Sequence, residues 1–297
     1  MSLLFFFLDG IGLGDVKDSN PFVKAKTPFL ESLLGGRLTG ELLEHHHKIS
    51  LFKKLDARLG LSGLPQSATG QSSLLTGKNA ALWMGRHYGP WPGPRLKALL
   101  DEDNLFLRVF KANLPIALLN AYPNGYFEAL AQKRLKPNAL SYAYQTSGLK
   151  LLNQRDYQAG LAISADLTGS YLHQDNPQFP LYEPQAAGYL LAKLAQNYPF
   201  SMFDFWLSDR AGHEFSFEES LELIERLDSF LAGLFEGQGQ DLTILITSDH
   251  GNLEDKSHTR HSFNPVPLIV KGPGTHHFAR AQALDDIASA IYAVLGL

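Results

Sequence analysis

The 297-residue sequence contains no cysteine. Disulfide bonds, thiolate metal sites and cysteine nucleophiles are therefore excluded, and any metal ion has to be bound by histidine and carboxylate side chains. The chain also lacks an excess of basic residues, since 26 Lys and Arg stand against 30 Asp and Glu, for a net charge of −4. Because no basic surface is available to attract a polyanion, we do not expect a nucleic-acid partner.

Long hydrophobic runs are missing as well. No apolar stretch approaches the ~20 residues needed to span a bilayer, and the apolar residues 3–8 lack the basic leader and cleavage site of a signal peptide. We therefore expect a cytoplasmic protein without a membrane partner. The sequence has no repeat of fixed period, and 44% of its residues are hydrophobic, which excludes the disordered, collagen-like and coiled-coil classes.

The chain does contain an alternation of short apolar runs with amphipathic stretches. The apolar runs are too short for typical helices and suit strands that are buried on both faces, as in a parallel sheet. They comprise residues 3–8, 116–119, 202–207, 242–247 and 266–270. The amphipathic stretches comprise residues 27–34, 104–112, 183–197, 217–235 and 284–295. This alternation predicts an α/β fold, namely a three-layer α/β/α sandwich with a mostly parallel sheet.

Residues 123–183 interrupt this pattern. They contain several tyrosines and asparagines, and Pro137-Asn138 and Asn176-Pro177 break the segment, but no metal-binding motif occurs there. We interpret the segment as a small cap or an elaborated part of the core, because lids over binding sites are often built in this way. Residues 1–122 and 184–297 would then form the metal-binding core.

Carboxylates follow three of the predicted strands at the point where each strand ends. They are Asp9, Asp209 and Asp249, and each has a glycine nearby. Any one of them alone is most simply a turn or helix-capping residue. Together they indicate a shared centre, because ligands bind at the carboxyl ends of the strands in α/β sheets. His213 and His250, each within four residues of one of these carboxylates, strengthen that interpretation.

These side chains offer only oxygen and imidazole nitrogen as metal ligands. Three Asp, two His and one further His would supply six ligands, which is more than one tetrahedral ion takes, so we predict two divalent ions. The ligand set suits Zn²⁺ or Mn²⁺, and Mg²⁺ less readily. Two such ions ~4 Å apart stabilise both the attacking and the leaving oxygen of a displacement at phosphorus.

A nucleophile is expected from residues 63–77, where a turn rich in Pro and Gly leads into a short helical stretch. Ser67 or Thr69 would lie near a helix N-terminus, where exposed backbone N–H groups favour a developing anion. The simpler interpretation is that Ser67 only caps this helix.

Five segments carry a resemblance to a known family. They are Asp9-Gly10-Ile11-Gly12, residues 25–30, Asp209-x-x-x-His213, Asp249-His250-Gly251-Asn252 and residues 261–267. Together they resemble the alkaline phosphatase superfamily, and within it the branch of the cofactor-independent phosphoglycerate mutases and phosphopentomutases. The fold that this resemblance implies is the alkaline phosphatase-like sandwich, without the large inserted transferase domain of the mutases.

The resemblance also implies roles for individual residues. One metal ion would be bound by Asp209, His213 and His261. The other would be bound by Asp9, Asp249, His250 and the oxygen of the nucleophile. In the mutases the nucleophilic Ser or Thr stands three residues before the glycine of its motif. Ser67 has this spacing to Gly70, and Thr69 is the second choice.

The sequence departs from the mutases in two ways. It has no room for their inserted domain, which closes over the substrate, and Gln71 stands where they have His. A mutase must shield its phosphorylated intermediate from water, so these departures favour a two-metal hydrolase of phosphatase or phosphodiesterase type. It would act on a small phosphorylated metabolite through a metal-bound Ser67 and a phosphoseryl intermediate. The alternatives are a phosphomutase and a metal-binding protein without catalytic activity.

Four residues are candidates for substrate binding. Arg86 and His87 lie in a segment with aromatic, Pro and Gly residues and would hold a phosphate by charge or in bidentate fashion, although Arg86 would equally suit a surface ion pair. Arg210 and Arg260 lie inside the segments that carry metal ligands. The sequence indicates neither the substrate nor the oligomeric state.

Overall fold

The computed structural model describes all residues, 1–297. Its strands are β1 (Ser2–Leu8), β2 (His45–His47), β3 (Ser50–Leu55), β4 (Ile116–Leu118), β5 (Asn120–Ala121), β6 (Ile163–Ser164), β7 (Phe200–Phe205), β8 (Leu242–Ser248) and β9 (Val266–Lys271).

Fourteen α-helices and one 3₁₀ helix connect the strands. The helices are α1 (Pro21–Lys24), α2 (Pro28–Leu34), α3 (Ser67–Thr76), α4 (Ala80–Met84), α5 (Pro94–Glu102), α6 (Leu105–Lys111), α7 (Asn124–Ala131), α8 (Ala139–Thr146), α9 (Gln154–Gln158), α10 (Ser170–Asp175), α11 (Pro184–Ala195), α12 (Leu207–Glu214), α13 (Phe217–Glu236) and α14 (Asp286–Leu295), and the 3₁₀ helix is Thr275–Phe278. None of them has both the length and the apolar character needed to cross a bilayer.

A seven-stranded sheet forms the centre of the molecule, with the order β2-β3-β9-β8-β1-β7-β4. The neighbours β8, β1, β7 and β4 are parallel. Strand β9 is antiparallel to both β8 and β3, and β2 is antiparallel to β3. All five predicted strands are present, and the predicted α/β fold with a mostly parallel sheet is confirmed.

The edge formed by β2 and β3 was not predicted. Strand β3 has the sequence SLFKKL, and its two lysines break the apolar run that marks a strand buried on both faces. Lys53 Nζ donates to the carbonyl of Ala281 at 2.6 Å, and Lys54 Nζ donates to that of Gly40 at 2.5 Å. Strand β3 is paired on both sides, with β2 and β9, so these lysines do not guard a free edge. Their stems are partly buried while their ammonium groups reach backbone carbonyls.

Two hydrophobic layers cover the two faces of the sheet. Strand β1 is buried at every position, because its alternate side chains point to opposite faces and both faces are covered. Phe5 and Phe7 belong to one core cluster with residues of α3, α6, α8 and α14. Leu4 and Phe6 belong to the other, with residues of α2, α11 and α13. This arrangement is the three-layer sandwich.

Residues 123–183 form α7 to α10 and β6. Helix α8 packs against α3, α5 and α6 and contributes Leu140 and Ala143 to the first core cluster. Strand β6 pairs only with β5, in a small parallel sheet of its own, above a minor apolar cluster that contains Tyr157 and Leu172. The segment therefore combines contacts to the core with a small packing unit of its own, and its role as a cap stays a prediction.

Candidate metal centre

The candidate site lies at the carboxyl ends of three neighbouring parallel strands. Asp9 directly follows β1, Asp249 directly follows β8, and Asp209 lies in the first turn of α12, which begins two residues after β7. Since β8, β1 and β7 are adjacent and parallel, their carboxyl ends meet at one edge of the sheet. The structure thus brings the three predicted carboxylates together from distant parts of the chain.

One group of candidate ligands surrounds the imidazole of His250. Its Nε2 atom lies 3.5 Å from Asp9 Oδ1 and 3.5 Å from Asp249 Oδ2. The ligand atoms of these three residues all lie within 4.8 Å of one another, and all three residues are buried. Two carboxylates and one imidazole in this arrangement suit a divalent ion such as Zn²⁺ or Mn²⁺.

A second group forms around Asp209. His213 Nε2 lies 3.4 Å from Asp209 Oδ2, and His261 Nε2 lies 3.6 Å from Asp209 Oδ1. The two imidazole Nε2 atoms are 3.2 Å apart. The ring of His250 stacks on that of His261 at a centroid distance of 3.8 Å, and Asp209, His250 and His261 also present ligand atoms within 4.8 Å of one another. His250 therefore lies between the two groups.

Backbone carbonyls fix the orientation of all three imidazoles through the Nδ1 atom of each ring. His213 Nδ1 lies 2.7 Å from the carbonyl oxygen of Thr259, and His261 Nδ1 lies 2.7 Å from that of Pro65. His250 Nδ1 makes a longer contact, 3.4 Å, to the carbonyl oxygen of Gly251. A ring that donates from Nδ1 keeps the lone pair on Nε2, which is the arrangement that metal-binding histidines require.

The carboxylates of the site are costly to bury together without a cation. Burial and the neighbouring charges of Asp249 and Asp209 raise the pKa of Asp9 well above its usual value, and Asp9 Oδ1 has no hydrogen-bond partner. Burial and the charge of Asp209 raise the pKa of Asp249 to about 7. Burial opposes ionisation of Asp209 too, but the hydrogen bond from His213 and the charges of the histidines lower its pKa.

The imidazoles show the complementary effect. Burial lowers the pKa of His250, and burial together with the charge of His250 lowers the pKa of His261 to about 4. His213 is half exposed, and its hydrogen bond to Asp209 raises its pKa. Neutral buried imidazoles and crowded carboxylates, one of them with an oxygen that lacks any donor, form a ligand set that fits divalent cations.

Ser67 is the first residue of α3 and lies at the same centre. Its Oγ atom is 3.0 Å from His250 Nε2. Gln66, not Ser67, occupies the N-cap position, and its side chain makes no capping hydrogen bond. The Thr69 hydroxyl donates instead to the carbonyls of Gln66 and Tyr88, at 3.0 and 3.3 Å. Of the two candidate nucleophiles, the structure places only the Ser67 hydroxyl against the imidazole cluster.

A glycine allows α3 to approach the carboxylates this closely. A Cβ atom on Gly70 would lie 2.7 Å from the carbonyl oxygen of Asp249 and 2.8 Å from its Cβ. One residue further along, Gln71 Nε2 lies 3.2 Å from both Asp9 Oδ2 and Asp249 Oδ2. The glutamine that departs from the mutase pattern therefore bridges two candidate metal ligands.

Glu254 is a residue of the candidate site that the sequence analysis missed. It is fully buried, and its Oε2 accepts hydrogen bonds from the backbone N–H groups of Gly12 at 2.9 Å and Asn252 at 2.8 Å. Its Oε1 accepts from the Ser262 hydroxyl and from Asn264 Nδ2. One carboxylate thereby joins the three loops that carry Asp9, Asp249 and His261. The only signal in the sequence is that this acidic residue closely follows the Asp-His-Gly-Asn segment.

A cleft of about 670 Å³ opens beside the centre. Asp9, Ser67, Asp209 and His213 line one end, and residues from the 123–183 segment line the other. Among the predicted substrate-binding residues, only Arg210 lines this cleft, and its Nε forms an ion pair with Glu214 Oε2 at 2.8 Å.

The structure does not bring the other three predicted substrate-binding residues to the cleft. Arg86 and His87 line a separate shallow cavity beside Gln66, where the Arg86 guanidinium lies 5.6 Å from the Tyr88 ring centroid. Arg260 is exposed on the loop before His261 and is not part of the cleft wall.

Comparisons with known proteins agree with this geometry. Residues 182–297 match the Metalloenzyme superfamily. A 2,3-bisphosphoglycerate-independent phosphoglycerate mutase from Legionella pneumophila (strain Lens) is 30% identical over 138 residues, which cover 41% of this chain and 27% of the relative. The chain thus spans about a quarter of the length of that curated relative.

Solved structures share the fold over almost the whole chain. A protein from Pyrococcus horikoshii is 16% identical, with a TM-score of 0.59 and coverage of 99% of this chain and 96% of its own. The alkaline phosphatase from the Antarctic bacterium TAB5 is 10% identical, with a TM-score of 0.53 and coverage of 99% and 98%. At this level of identity the structures show the fold alone, and it is the alkaline phosphatase-like fold. The sequence matches confirm the resemblance to the superfamily and its phosphoglycerate mutase branch.

Proposed function

From the match of residues 182–297 to the Metalloenzyme superfamily and from the geometry of the centre, we propose that the chain is a metal-dependent phosphoryl-transfer enzyme. It would act as a hydrolase of phosphatase or phosphodiesterase type on a small phosphate ester. One observation carries the proposal. The Ser67 hydroxyl, at the start of α3, faces an acid and imidazole cluster suited to two divalent ions, at the end of a cleft large enough for a small metabolite.

Two sets of residues would bind the ions. Asp9, Asp249 and His250, with the Ser67 oxygen, would hold one, and Asp209, His213 and His261 would hold the other. Bound divalent ions, Zn²⁺ or Mn²⁺ and less readily Mg²⁺, supply positive charge that stabilises phosphoryl oxygens and makes a nearby hydroxyl easier to deprotonate.

The protein residues contribute orientation and electrostatics. Ser67 Oγ would lose its proton and attack phosphorus, so that the P–Oγ bond forms while the bond from phosphorus to the leaving oxygen breaks. The leaving oxygen takes up one proton, which balances the proton lost by the serine. The N-terminal end of α3 favours the negative charge that develops beside Ser67. Water would then cleave the phosphoseryl bond, which releases phosphate and restores the serine.

A phosphomutase is the second candidate, and the curated relative favours it because its name records that activity. The two candidates share Ser67 and the same phosphoserine, and they differ in the group that accepts the phosphoryl group. In a hydrolase the acceptor is water, whereas in a mutase it is a second hydroxyl of the substrate.

The test is an assay of the metal-loaded protein across phosphomonoesters, phosphodiesters and sugar phosphates, with free phosphate and isomerised product measured in the same samples. Free phosphate supports the hydrolase, and isomerised product without free phosphate supports the mutase. If no ester is consumed with Zn²⁺, Mn²⁺ or Mg²⁺, the proposal of an enzyme fails and the non-catalytic alternative gains.

Variants at α3 test the nucleophile. Ser67→Ala should abolish turnover while the bound metal and the melting temperature stay close to those of the unmodified protein. Thr69→Ser keeps the hydroxyl that bonds to the Gln66 carbonyl and serves as the matched control with retained activity. Turnover by Ser67→Ala would remove Ser67 from the mechanism.

A further inference from the structure

The cleft contains a buried carboxylate that the proposed reaction does not use and that has an oxygen without a hydrogen-bond partner. Asp204 lies on β7 and is 1% exposed, and it contributes to the cleft wall. Its Oδ2 accepts a hydrogen bond from Asn138 Nδ2 at 2.9 Å, but its Oδ1 is buried and has no partner. A buried acceptor without a donor is unfavourable, and a ligand that brings a donor into the cleft would remove this cost.

The surroundings hold Asp204 rigidly in place. Asn120 Nδ2 donates to the Asp204 carbonyl at 2.8 Å, and the Asp204 N–H donates to Asn120 Oδ1 at 2.7 Å. Asn138 Oδ1 is likewise occupied, because it accepts from the backbone N–H of Ser141. Since both amide oxygens are engaged, Asp204 Oδ1 is the unsatisfied acceptor on this part of the cleft wall.

The charged side chains that line the cleft also disfavour an anionic ligand. Asp166, Asp175 and Glu214 also line it, whereas the cations in the wall are Lys136 and Arg210. Arg210 is already paired with Glu214. An anionic leaving group would therefore face mostly negative side chains, and a neutral or cationic one would not.

Aromatic rings complete the wall near Asp204. Tyr122 and Tyr126 lie together, with ring centroids 4.6 Å apart, and both contribute to the cleft. Ring faces of this kind pack against the carbon skeleton of a polyol and attract an ammonium group. The negative faces of these rings do not attract a carboxylate.

We propose that the Asp204 pocket, formed by Asn120, Tyr122, Tyr126, Asn138 and Asp204, binds the part of the phosphate ester that is not transferred. It recognises a hydrogen-bond donor, a hydroxyl or an ammonium group, and rejects leaving groups that carry a carboxylate. This inference rests on the proposed function. It has a consequence for the phosphoglycerate named in the curated relative, because that ester carries a carboxylate and should bind poorly here.

The test measures binding by calorimetry to metal-loaded Ser67→Ala, in which no turnover is expected to consume the ligand. Four probes share a phosphate group: glycerol 3-phosphate with hydroxyls, phosphoethanolamine with an ammonium group, 3-phosphoglycerate with a carboxylate, and phenyl phosphate with no donor. At least one of the first two should bind about tenfold or more tightly than 3-phosphoglycerate. Equal or tighter binding of 3-phosphoglycerate overturns the inference.

Substitutions at Asp204 in the same background test its part directly. Asp204→Ala should lower the ratio of affinities for the preferred donor ester and for phenyl phosphate by about tenfold. In Asp204→Asn the amide oxygen would keep the hydrogen bond from Asn138 Nδ2, so the amide NH₂ would replace the free Oδ1 and turn this acceptor into a donor. A hydroxyl can accept from that NH₂ and an ammonium group cannot, so the variant should preserve binding of a hydroxyl ester, weaken binding of an ammonium ester, and tighten binding of 3-phosphoglycerate. An unchanged preference in these variants overturns the inference, and if Asp204→Ala fails to fold, Asp204→Asn decides alone.

Failure of the inference can be told apart from failure of the proposed function. Preferential binding of donor esters without any turnover by unmodified protein would refute the enzyme and leave the Asp204 pocket intact. Turnover with no dependence on Asp204 would refute the pocket and leave the enzyme intact.

Discussion

Replacing Glu254 by Gln should weaken both the fold and the metal centre. Glu254 is buried and receives four hydrogen bonds, two on each carboxylate oxygen. A glutamine of nearly the same shape has one acceptor oxygen, so its NH₂ group would face two donors that then lack a partner. The substitution thus removes interactions without creating a cavity.

The magnitude follows from these contacts. A hydrogen bond to a charged group is worth ~1.5–3 kcal/mol, and a buried donor left without a partner costs ~1–3 kcal/mol. The amide would settle with its oxygen toward the backbone N–H groups of Gly12 and Asn252, since the Ser262 hydroxyl can rotate and Asn264 is partly exposed. We therefore expect the free energy of unfolding of the metal-free protein to fall by about 2–4 kcal/mol. Loss of a residue that orients metal-binding loops should lower metal affinity about 10–100-fold.

Urea unfolding of the metal-free protein, followed by tryptophan fluorescence, measures the first effect, and calorimetric titration with Zn²⁺ or Mn²⁺ measures the second. Glu222→Gln is the matched control, because this glutamate is exposed on α13 and its loss should change stability by less than about 0.5 kcal/mol. If Glu254→Gln behaves like the control in both measurements, the buried carboxylate does not hold the loops together and the reasoning is wrong.

Three further predictions concern the pKa of a buried acid, the charge of the centre and the packing of α3. Burial raises the pKa of Asp204 from 3.8 to about 7, so ionisation of Asp204 opposes folding. The free energy of unfolding, compared with that of Asp204→Asn, should therefore fall by about 3–4 kcal/mol as pH rises from 4 to 8. Melting curves of both proteins across that range measure this, and a constant difference refutes it. Gln71→Glu adds a carboxylate beside Asp9 and Asp249, so it should lower the melting temperature of the metal-free protein. Addition of metal should then raise the melting temperature of this variant by more than it raises that of the unmodified protein. A smaller rise in the variant would contradict the proposed ligands. Gly70→Ala should destabilise the protein by about 1–3 kcal/mol because its Cβ would collide with Asp249. Gly125→Ala is the control and should not destabilise the protein, because no atom lies within 4 Å of the new Cβ. Equal denaturant midpoints for the two variants would show that α3 has room to move.

The central strands could be predicted because they are buried on both faces. Burial of this kind demands an uninterrupted apolar run, as in β1 and β8, and such a run is visible without any knowledge of the strand order. Strand β3 was missed for the same reason, because its two lysines interrupt the apolar run. Carboxylates placed directly after the apolar runs then indicated where the chemistry would lie.

Contacts across the molecule were beyond the reach of local patterns. Glu254 and Gly12 are 242 residues apart, and Asn138 and Asp204 are 66 apart, so neither hydrogen bond leaves a periodic trace in the sequence. In the sequence, Ser67 and Thr69 are equally plausible nucleophiles. Only the folded structure shows that the Ser67 hydroxyl faces His250 while the Thr69 hydroxyl bonds to backbone carbonyls. The same holds for Arg86 and Arg210, of which only the second reaches the cleft.

The amino-acid sequence by itself determined the layered α/β architecture and the kind of ligands at the ends of its strands, because burial and strand termination impose a residue pattern on neighbouring positions. The tertiary structure alone decided which imidazole faces which carboxylate, which hydroxyl reaches them, and that a carboxylate with a free oxygen lines the cleft. Those relations depend on the order in which the strands assemble, which brings together residues that no local pattern connects.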